Sequence, residues 1–332
     1  MSNENQIDSE NMYQMLKDFP KQIEEAIKLG KDIRITEPID KIVITGLGGS
    51  ALPGEMLLSY LKDMPIPIFV NKSYFLPTYV DKKSLVFVIS YSGNTEETIN
   101  AFRIAAKRDC QIVVISAGGK LQEMAQQQNK FYVHVPKPTP NFQPRLAVAY
   151  QFFPIITILT NSQLLEDKSE EIQKTIANLQ RPVFEEQAER LAEQLVGRIP
   201  VIYSSERLKA VAYKWKIDFN ENAKTQAFYN IFPELNHNEM VGWTNLKGDY
   251  FVIILKDDED YERIKKRMDI TKTILKQKGV PVKEIMFTGT SSLNKIFSAI
   301  YIGDWTSYFL ALQYKTDPTP VKMVEDFKKQ LA

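Results

Sequence analysis

Between residues 84 and 108 the chain reads SLVFVISYSGNTEETINAFRIAAKR, and its hydroxyls gather at one point. An apolar run over 85–89 stops at Ser90, Tyr91, Ser92, Gly93, Asn94 and Thr95, after which Ile99, Phe102 and Ala106 recur at helical spacing. The pattern predicts a strand, a hydroxyl-rich turn and a helix. Free N–H groups at a helix N-terminus carry partial positive charge, and Ser90, Ser92 and Thr95 add donors beside them, which suits a phosphate. The same residues also make ordinary turn and cap chemistry, with Thr95 capping and Glu96 and Glu97 in the first turn, and spacing alone leaves both readings open. Two further groups could move protons: the carboxylate of Glu221, in KIDFNENAK, and the imidazole of His237, sixteen residues on in ELNHNE. A carboxylate serves as a base, and imidazole exchanges protons near neutral pH. By residue type alone they read first as a solvated surface carboxylate and a polar loop residue.

The elements that must position these groups read as α/β. A short buried strand at 42–44 runs into Gly48-Gly49-Ser50 and an apolar helix over 53–61, repeating the strand, turn and helix of the hydroxyl-rich stretch. The glycine turn lets backbone approach a ligand closely but does not match the dinucleotide pattern GxGxxG. Further strands are expected at 68–70, 85–89, 112–115 and 131–135, with helices at 94–108 and 121–128, giving a parallel sheet covered on both faces. Residues from about 9 to 30 carry a helical pattern with Pro20 bending or splitting it, and 136–144, with four prolines, are extended. Arg145 then opens the apolar stretch 146–159; an arginine there is ordinarily a surface residue. After polar helices over 166–194 a second α/β unit follows, with strands at 201–203, 250–255 and 282–287 and helices at 206–219, 261–278 and 293–312. It has no hydroxyl turn of its own, so one phosphate site per chain is expected. The aromatic and aliphatic residues around His237 (Phe228, Tyr229, Ile231, Phe232, Leu235, Met240, Trp243) read as an apolar loop buried against its own domain or a partner.

At 332 residues, with 42 basic against 41 acidic side chains and a net charge of +1, the chain has no field to draw in nucleic acid or an anionic membrane, and an anionic ligand must be held locally. Apolar residues make up 44%, enough for a substantial core. Cys110 is the single cysteine, which points to a reducing compartment, and the polar, acidic residues 1–14 lack the apolar segment of a signal peptide; a cytoplasmic protein is expected. Two histidines and one cysteine give little material for a transition-metal site, so neither a metal nor a cofactor is expected.

SYSGNTEET resembles the phosphate-holding motif of sugar-isomerase (SIS) domains. GLGGSA, SYSGNTEET, PRLAVAY, NENAK and ELNHNEMVGW, in that order from about Lys41 to the C-terminus, are similar to the bifunctional phosphoglucose/phosphomannose isomerase family. The resemblance implies two SIS-like doubly wound parallel-sheet subdomains, three-layered α/β/α, with linking helices and a C-terminal helix. The expected division is an N-terminal helical segment over 1–38, a phosphate-binding domain over 39–160, a helical linker over 161–198 and a second domain over 199–332. It implies interconversion of glucose 6-phosphate and fructose 6-phosphate, and of mannose 6-phosphate, with Glu221 and His237 as the catalytic pair and Arg145 entering the site. Gly48, Gly49, Ser50, Ser90, Ser92 and Thr95 would hold the phosphate. VEDFKKQLA resembles the closing helix of phosphoglucose isomerases and places the catalytic lysine at Lys328, with Lys322 and Lys329 as competitors. Family enzymes carry Gln or Thr shortly before that lysine; here Val321 stands seven residues before it, with Thr319 as the nearest substitute. The family's two-fold dimer implies a homodimer in which His237 reaches the partner's site. A phosphosugar-binding protein without turnover and an isomerase for another phosphosugar are the other readings; no basic helix-turn-helix segment supports a nucleic-acid-binding sensor.

Overall fold

The computed structural model describes residues 7–289 and 291–331, so residues 1–6 of the expected N-terminal segment and Ala332 of the closing helix lie outside the described residues. The chain divides into two compact units: Asp18–Asn178 forms the first, and Leu179 onward, joined by the described residues through Lys17, forms the second.

Two short helices come first, α1 (Met12–Lys17) and α2 (Phe19–Ala26). The break between them falls at Asp18, while Pro20 sits in the first turn of α2, where a missing N–H leaves no bond unmade. Five strands follow, β1 (Lys41–Thr45), β2 (Ile68–Asn71), β3 (Ser84–Ile89), β4 (Gln111–Ser116) and β5 (Phe131–His134), all parallel in the order β2-β1-β3-β4-β5. Ile42 pairs with Ile68 on one side and Leu85 on the other. Parallel neighbours need helical crossovers, supplied by α3 (Leu52–Tyr60), α4 (Glu96–Lys107) and α5 (Gly119–Gln127), with α6 (Val148–Asn161) after the last strand.

Every residue of β3 is buried, as its unbroken apolar run requires. Val86 and Val88 pack with Phe102 of α4 and Leu121 of α5 on one face. On the other, α3 lies so close that a Cβ on Gly54 would be 2.9 Å from Val70 and 3.0 Å from Ile44, and α2 and α3 pack on α6. The chain goes from β1 outward to β2 and returns on the opposite side to form β3. Strand order therefore reverses between β1 and β3, and loops leaving their carboxyl ends diverge around a crevice.

The first unit closes with α7 (Ser169–Leu179), and α8 (Val183–Leu195) opens the second. Then come β6 (Ile199–Ser204), α9 (Lys209–Glu221), β7 (Phe228–Ile231), α10 (Glu239–Gly242), β8 (Tyr250–Asp257), α11 (Glu262–Gln277), β9 (Val282–Phe287), α12 (Ser292–Gln313) and α13 (Lys322–Leu331). The sheet is again all parallel, β7-β6-β8-β9, with its order reversing between β6 and β8. Tyr203, Val252 and Ile254 face Met268 and Leu275 of α11, while the long, almost wholly buried α12 packs on α8 and α9. Tyr13 of α1 meets the Trp305 ring edge-on at 5.2 Å, so α1 belongs to this unit while α2 belongs to the first.

Residues 228–231, expected within an apolar loop, are instead an edge strand with Val201 opposite Phe228. Phe232, Leu235 and Trp243 are buried in the second unit's own core, while Phe228 stays half exposed. No helix among the described residues is long and apolar enough to cross a membrane.

Between α9 and α12 lies a cluster of three wholly buried ionisable groups. The Lys214 ammonium donates to both carboxylate oxygens of Asp218, at 2.6 and 2.7 Å, and to Asp304. One cation against two carboxylates leaves an excess charge that a low-dielectric interior penalises heavily. Burial pushes the Asp218 carboxyl well above the usual range, Lys214 draws it back only in part, and Asp304 pushes it further up. Burial works against the charge of Lys214, but the two carboxylates more than offset it and hold that ammonium charged. Asp218 thus keeps its proton to higher pH in the fold than in the unfolded chain, which releases it above about pH 4. The stability this contributes is whole below that pH and declines as pH rises through the folded value. Asp218→Asn keeps the shape without the titration, so its thermal midpoint should gain on that of the wild type as pH is raised from about 4 to about 8. A constant difference between the two across that range would refute the raised Asp218 carboxyl.

Candidate active site

The loops leaving β1 and β3 meet beside the reversal of strand order. Ser50, in a short 3-10 turn after β1, is buried, and its Oγ accepts from the Tyr91 N–H at 3.1 Å and from Gln151 Nε2 at 3.1 Å. With both lone pairs engaged, its remaining offer to a ligand is its proton. After β3, Ser90 Oγ lies 2.9 Å from Thr95 Oγ1 and accepts from the Gly93 N–H at 3.2 Å. Ser92 is exposed, its Oγ accepting from the Asn94 N–H at 3.3 Å. Thr95 is the N-cap of α4 with extended backbone, yet its side chain makes no capping bond to the helix. Thr95 contacts Ser90 instead, so a side-chain cap does not occupy the N–H groups opening α4, the arrangement that favours an anion.

Two close backbone approaches set this geometry. Gly93 has φ +71°, and a Cβ there would lie 1.7 Å from the Gly118 carbonyl oxygen. The hydroxyl turn is further tied to the next loop by bonds from Leu121 N–H to Gly93 O (3.0 Å) and from Lys120 N–H to Asn94 Oδ1 (2.9 Å). A Cβ on Gly49 would come within 2.9 Å of the Arg145 nitrogen, so its absence lets the Pro144–Leu146 turn lie against the glycine turn. Arg145, ordinarily a surface type, is 1% exposed, with Nη1 donating to Gln143 Oε1 at 3.3 Å. The structure thus brings Gly48, Gly49, Ser50, Ser90, Ser92, Thr95 and Arg145 into one neighbourhood of the first unit. Gln151, which orients Ser50, was not singled out from sequence; a lone amide inside the apolar stretch 146–159 is the signal that could have found it. Arg103 and Lys120, likewise not singled out, line a cavity of about 430 Å³ with Tyr74 and Asn94 beside the same helix start.

Glu221, His237 and Lys328 belong to the second unit and lie on three separate segments. Glu221 ends α9 and is half-buried; the Lys224 ammonium donates to its carbonyl oxygen. His237 is exposed in the turn joining a short 3-10 helix (Glu234–Asn236) to α10. That turn is held from below: Glu239 accepts from the Tyr203 hydroxyl and Asn230 Nδ2, both at 2.5 Å, and Trp243 Nε1 donates to the same Tyr203 hydroxyl at 3.0 Å. On α13, Asp326 pairs with both Lys322 and Lys329, whereas Lys328 pairs with no carboxylate among the described residues. Thr319 is buried before α13, and its N–H donates to Asp317 at 3.0 Å; Val321 is part-exposed. Among the described residues no group of three or more His, Cys, Asp or Glu side chains is placed to hold a metal ion.

In the second unit the corresponding strand end carries Asp257, Asp258 and Glu259. Lys295 reaches all three, at 2.6, 2.5 and 3.0 Å, and Arg207 bonds Asp257 at 2.9 Å and also Glu259. Where the first unit has hydroxyls and free N–H groups, the second has its own anions already paired.

Residues 37–155 match the model of the SIS domain, and residues 184–331 match that of the bacterial phospho-glucose isomerase C-terminal SIS domain. The bifunctional phosphoglucose/phosphomannose isomerase of Caldicellulosiruptor bescii is 40% identical over 338 residues, covering 97% of this chain and 99% of that one. The chain belongs to that family. A relative named for a different activity, the D-glucosamine-6-phosphate 4-epimerase of Sulfolobus acidocaldarius, is 33% identical over 75% of this chain and 78% of its own. Among solved structures, hypothetical protein TT0462 from Thermus thermophilus shares the fold with a TM-score of 0.75 at 16% identity, covering 96% of this chain and 90% of that one. The two parallel sheets of this chain fall within the two SIS-domain matches.

Gly93→Ala tests the close approach. Both its positive φ and the blocked space oppose a methyl group, so the variant should lose more than about 1 kcal/mol of stability. Inorganic phosphate is expected to raise the melting temperature of the wild type and not that of the variant. Full retention of stability and of the phosphate effect would show that the turn tolerates a looser packing than the structure displays.

Proposed function

We propose that this protein is an aldose–ketose isomerase that interconverts glucose 6-phosphate and fructose 6-phosphate and also accepts mannose 6-phosphate. What carries the reading is the hydroxyl turn, with the opening N–H groups of α4 uncapped by Thr95, in a chain that matches the isomerase family almost end to end. The phosphate is held by Ser50, Ser90, Ser92 and Thr95 with the backbone of Gly48 and Gly49. His237, aided by Lys328, opens the sugar ring. Glu221 then takes the proton from C2 and returns it to C1 through a cis-enediol, while Arg145 stabilises the negative charge developing on the enediol oxygen. Each step only moves protons and an electron pair within one substrate, so the residues named complete the reaction.

The 4-epimerase relative favours a second reading, an amino-sugar phosphate as substrate. A coupled assay across glucose, fructose, mannose and glucosamine 6-phosphates decides between them. Turnover of fructose 6-phosphate to glucose 6-phosphate is expected, falling roughly a hundred- to ten-thousand-fold in Glu221→Gln. Turnover confined to the amino sugar, or a Glu221→Gln variant as active as the wild type, would overturn the assignment.

The reading extends to a cytoplasmic homodimer in which His237 serves the partner's site. It is supported by the exposure of the His237 imidazole at the tip of a turn whose apolar residues are committed to its own core. Glu221→Gln and His237→Ala subunits, inactive alone, should on mixing regain about a quarter of full activity, because in half of the dimers one site recovers both wild-type groups. A mixture that stays inactive despite confirmed heterodimers would rule out sharing.

A further inference from the structure

The end of α9 is held at two levels. Below, Lys214 joins Asp218 to Asp304 of α12, Asn222 Nδ2 donates to Ser307 Oγ at 2.9 Å, and Trp215 Nε1 donates to the Ala299 carbonyl at 2.8 Å. Trp215 lies so close to α12 that a Cβ on Gly303 would be 2.3 Å from its ring nitrogen. Residues 214, 218 and 221 recur at four and three positions, so Glu221 continues the stripe that this anchor begins.

Above the anchor stands Lys224, in the stretch just past the helix. Its ammonium donates to the Glu221 carbonyl and, at 3.0 Å, to the Pro318 carbonyl in the segment leading into α13. Terminal carbonyls of a helix lack intrahelical partners and carry partial negative charge, so a cation there is favourable. Lys224 sits at φ +53°, a left-handed conformation that costs a residue with a Cβ about 1 kcal/mol and that glycine or asparagine takes at less cost. A lysine kept in that conformation, with its chain folded back onto two main-chain carbonyls, indicates that the side chain is what the position uses.

We infer that Lys224 is a positioning residue, a strut that fixes the end of α9, bearing Glu221, relative to the start of the segment bearing Lys328. The inference rests on the isomerase reading, in which Glu221 is the base and Lys328 assists ring opening. Proton transfer between adjacent carbons demands that the base stay within hydrogen-bond reach of both, and a displacement of about 1 Å can cost as much as a hundredfold in rate. Lys224 itself touches neither substrate nor reacting atoms in this account, and the phosphate is held by residues of the first unit, so its loss should fall on kcat and spare KM.

The test uses Lys224→Met, which keeps the length and the backbone cost of lysine but removes the charge, and Lys224→Arg, which keeps the charge. Lys224 is exposed, and folding of both variants is checked by circular dichroism. In the fructose 6-phosphate to glucose 6-phosphate assay, Lys224→Met should lose about tenfold in kcat with KM within about twofold. With C2-deuterated glucose 6-phosphate run in the reverse direction, its primary isotope effect on kcat should rise above that of the wild type as proton transfer becomes limiting. Lys224→Arg should restore most of kcat and the wild-type isotope effect. A Lys224→Met variant with wild-type kcat and isotope effect, whether or not its melting temperature falls, would overturn the positioning role alone, provided Glu221→Gln is inactive. An inactive wild type, or a fully active Glu221→Gln, would instead overturn the isomerase reading and this inference with it.

Discussion

Backbone laid against backbone is the constraint on which the first unit's crevice depends. Hydroxyls and amide N–H groups are short-range tools, and they converge on one anion only if the loops carrying them approach more closely than side chains permit. Gly93 against Gly118, and Gly49 against the turn that delivers Arg145, supply those approaches. The reversal of strand order between β1 and β3 supplies the space. Thr95 shows the arrangement at its finest scale: a residue at the N-cap that leaves its helix uncapped by its side chain and turns its hydroxyl to Ser90.

The second unit is organised by charge instead. Lys214 between two aspartates, Arg207 and Lys295 among three carboxylates, and Lys224 on two carbonyls all tie helices to neighbouring segments. The buried cluster of Lys214, Asp218 and Asp304 is a weak source of net stability, and a shift of one residue would leave one of its charges without a partner. That suits a unit whose task, in the reading proposed above, is to hold a base at a fixed point.

Much of this was legible from local pattern. The strands of the first sheet, the helix after the hydroxyl turn and the α/β plan of the second half announce themselves as apolar runs and helical periods within a dozen residues. The glycines and Arg145 could be named from motif order, but the burial of Arg145 could not, because it follows from contact with Gly49 nearly a hundred residues away. Residues 228–231 read as loop because a four-residue edge strand is too short to establish a period, and its aromatic neighbours belong to the core beneath it. The N-terminal helices read as one broken element, whereas α1 and α2 belong to different compact units; which core a helix joins is a tertiary choice that its own sequence does not record.

The acidic turn at the end of β8 has a thermodynamic side. A site that supplies its anion from its own chain is filled at every concentration of ligand, and mass action can add nothing to it. The hydroxyl turn of the first unit, in the reading proposed above, instead takes its anion from a ligand and gains that ligand's binding free energy. In that reading the concentration of a phosphosugar acts on the stability of the hydroxyl turn's crevice and leaves the internally paired turn as it is.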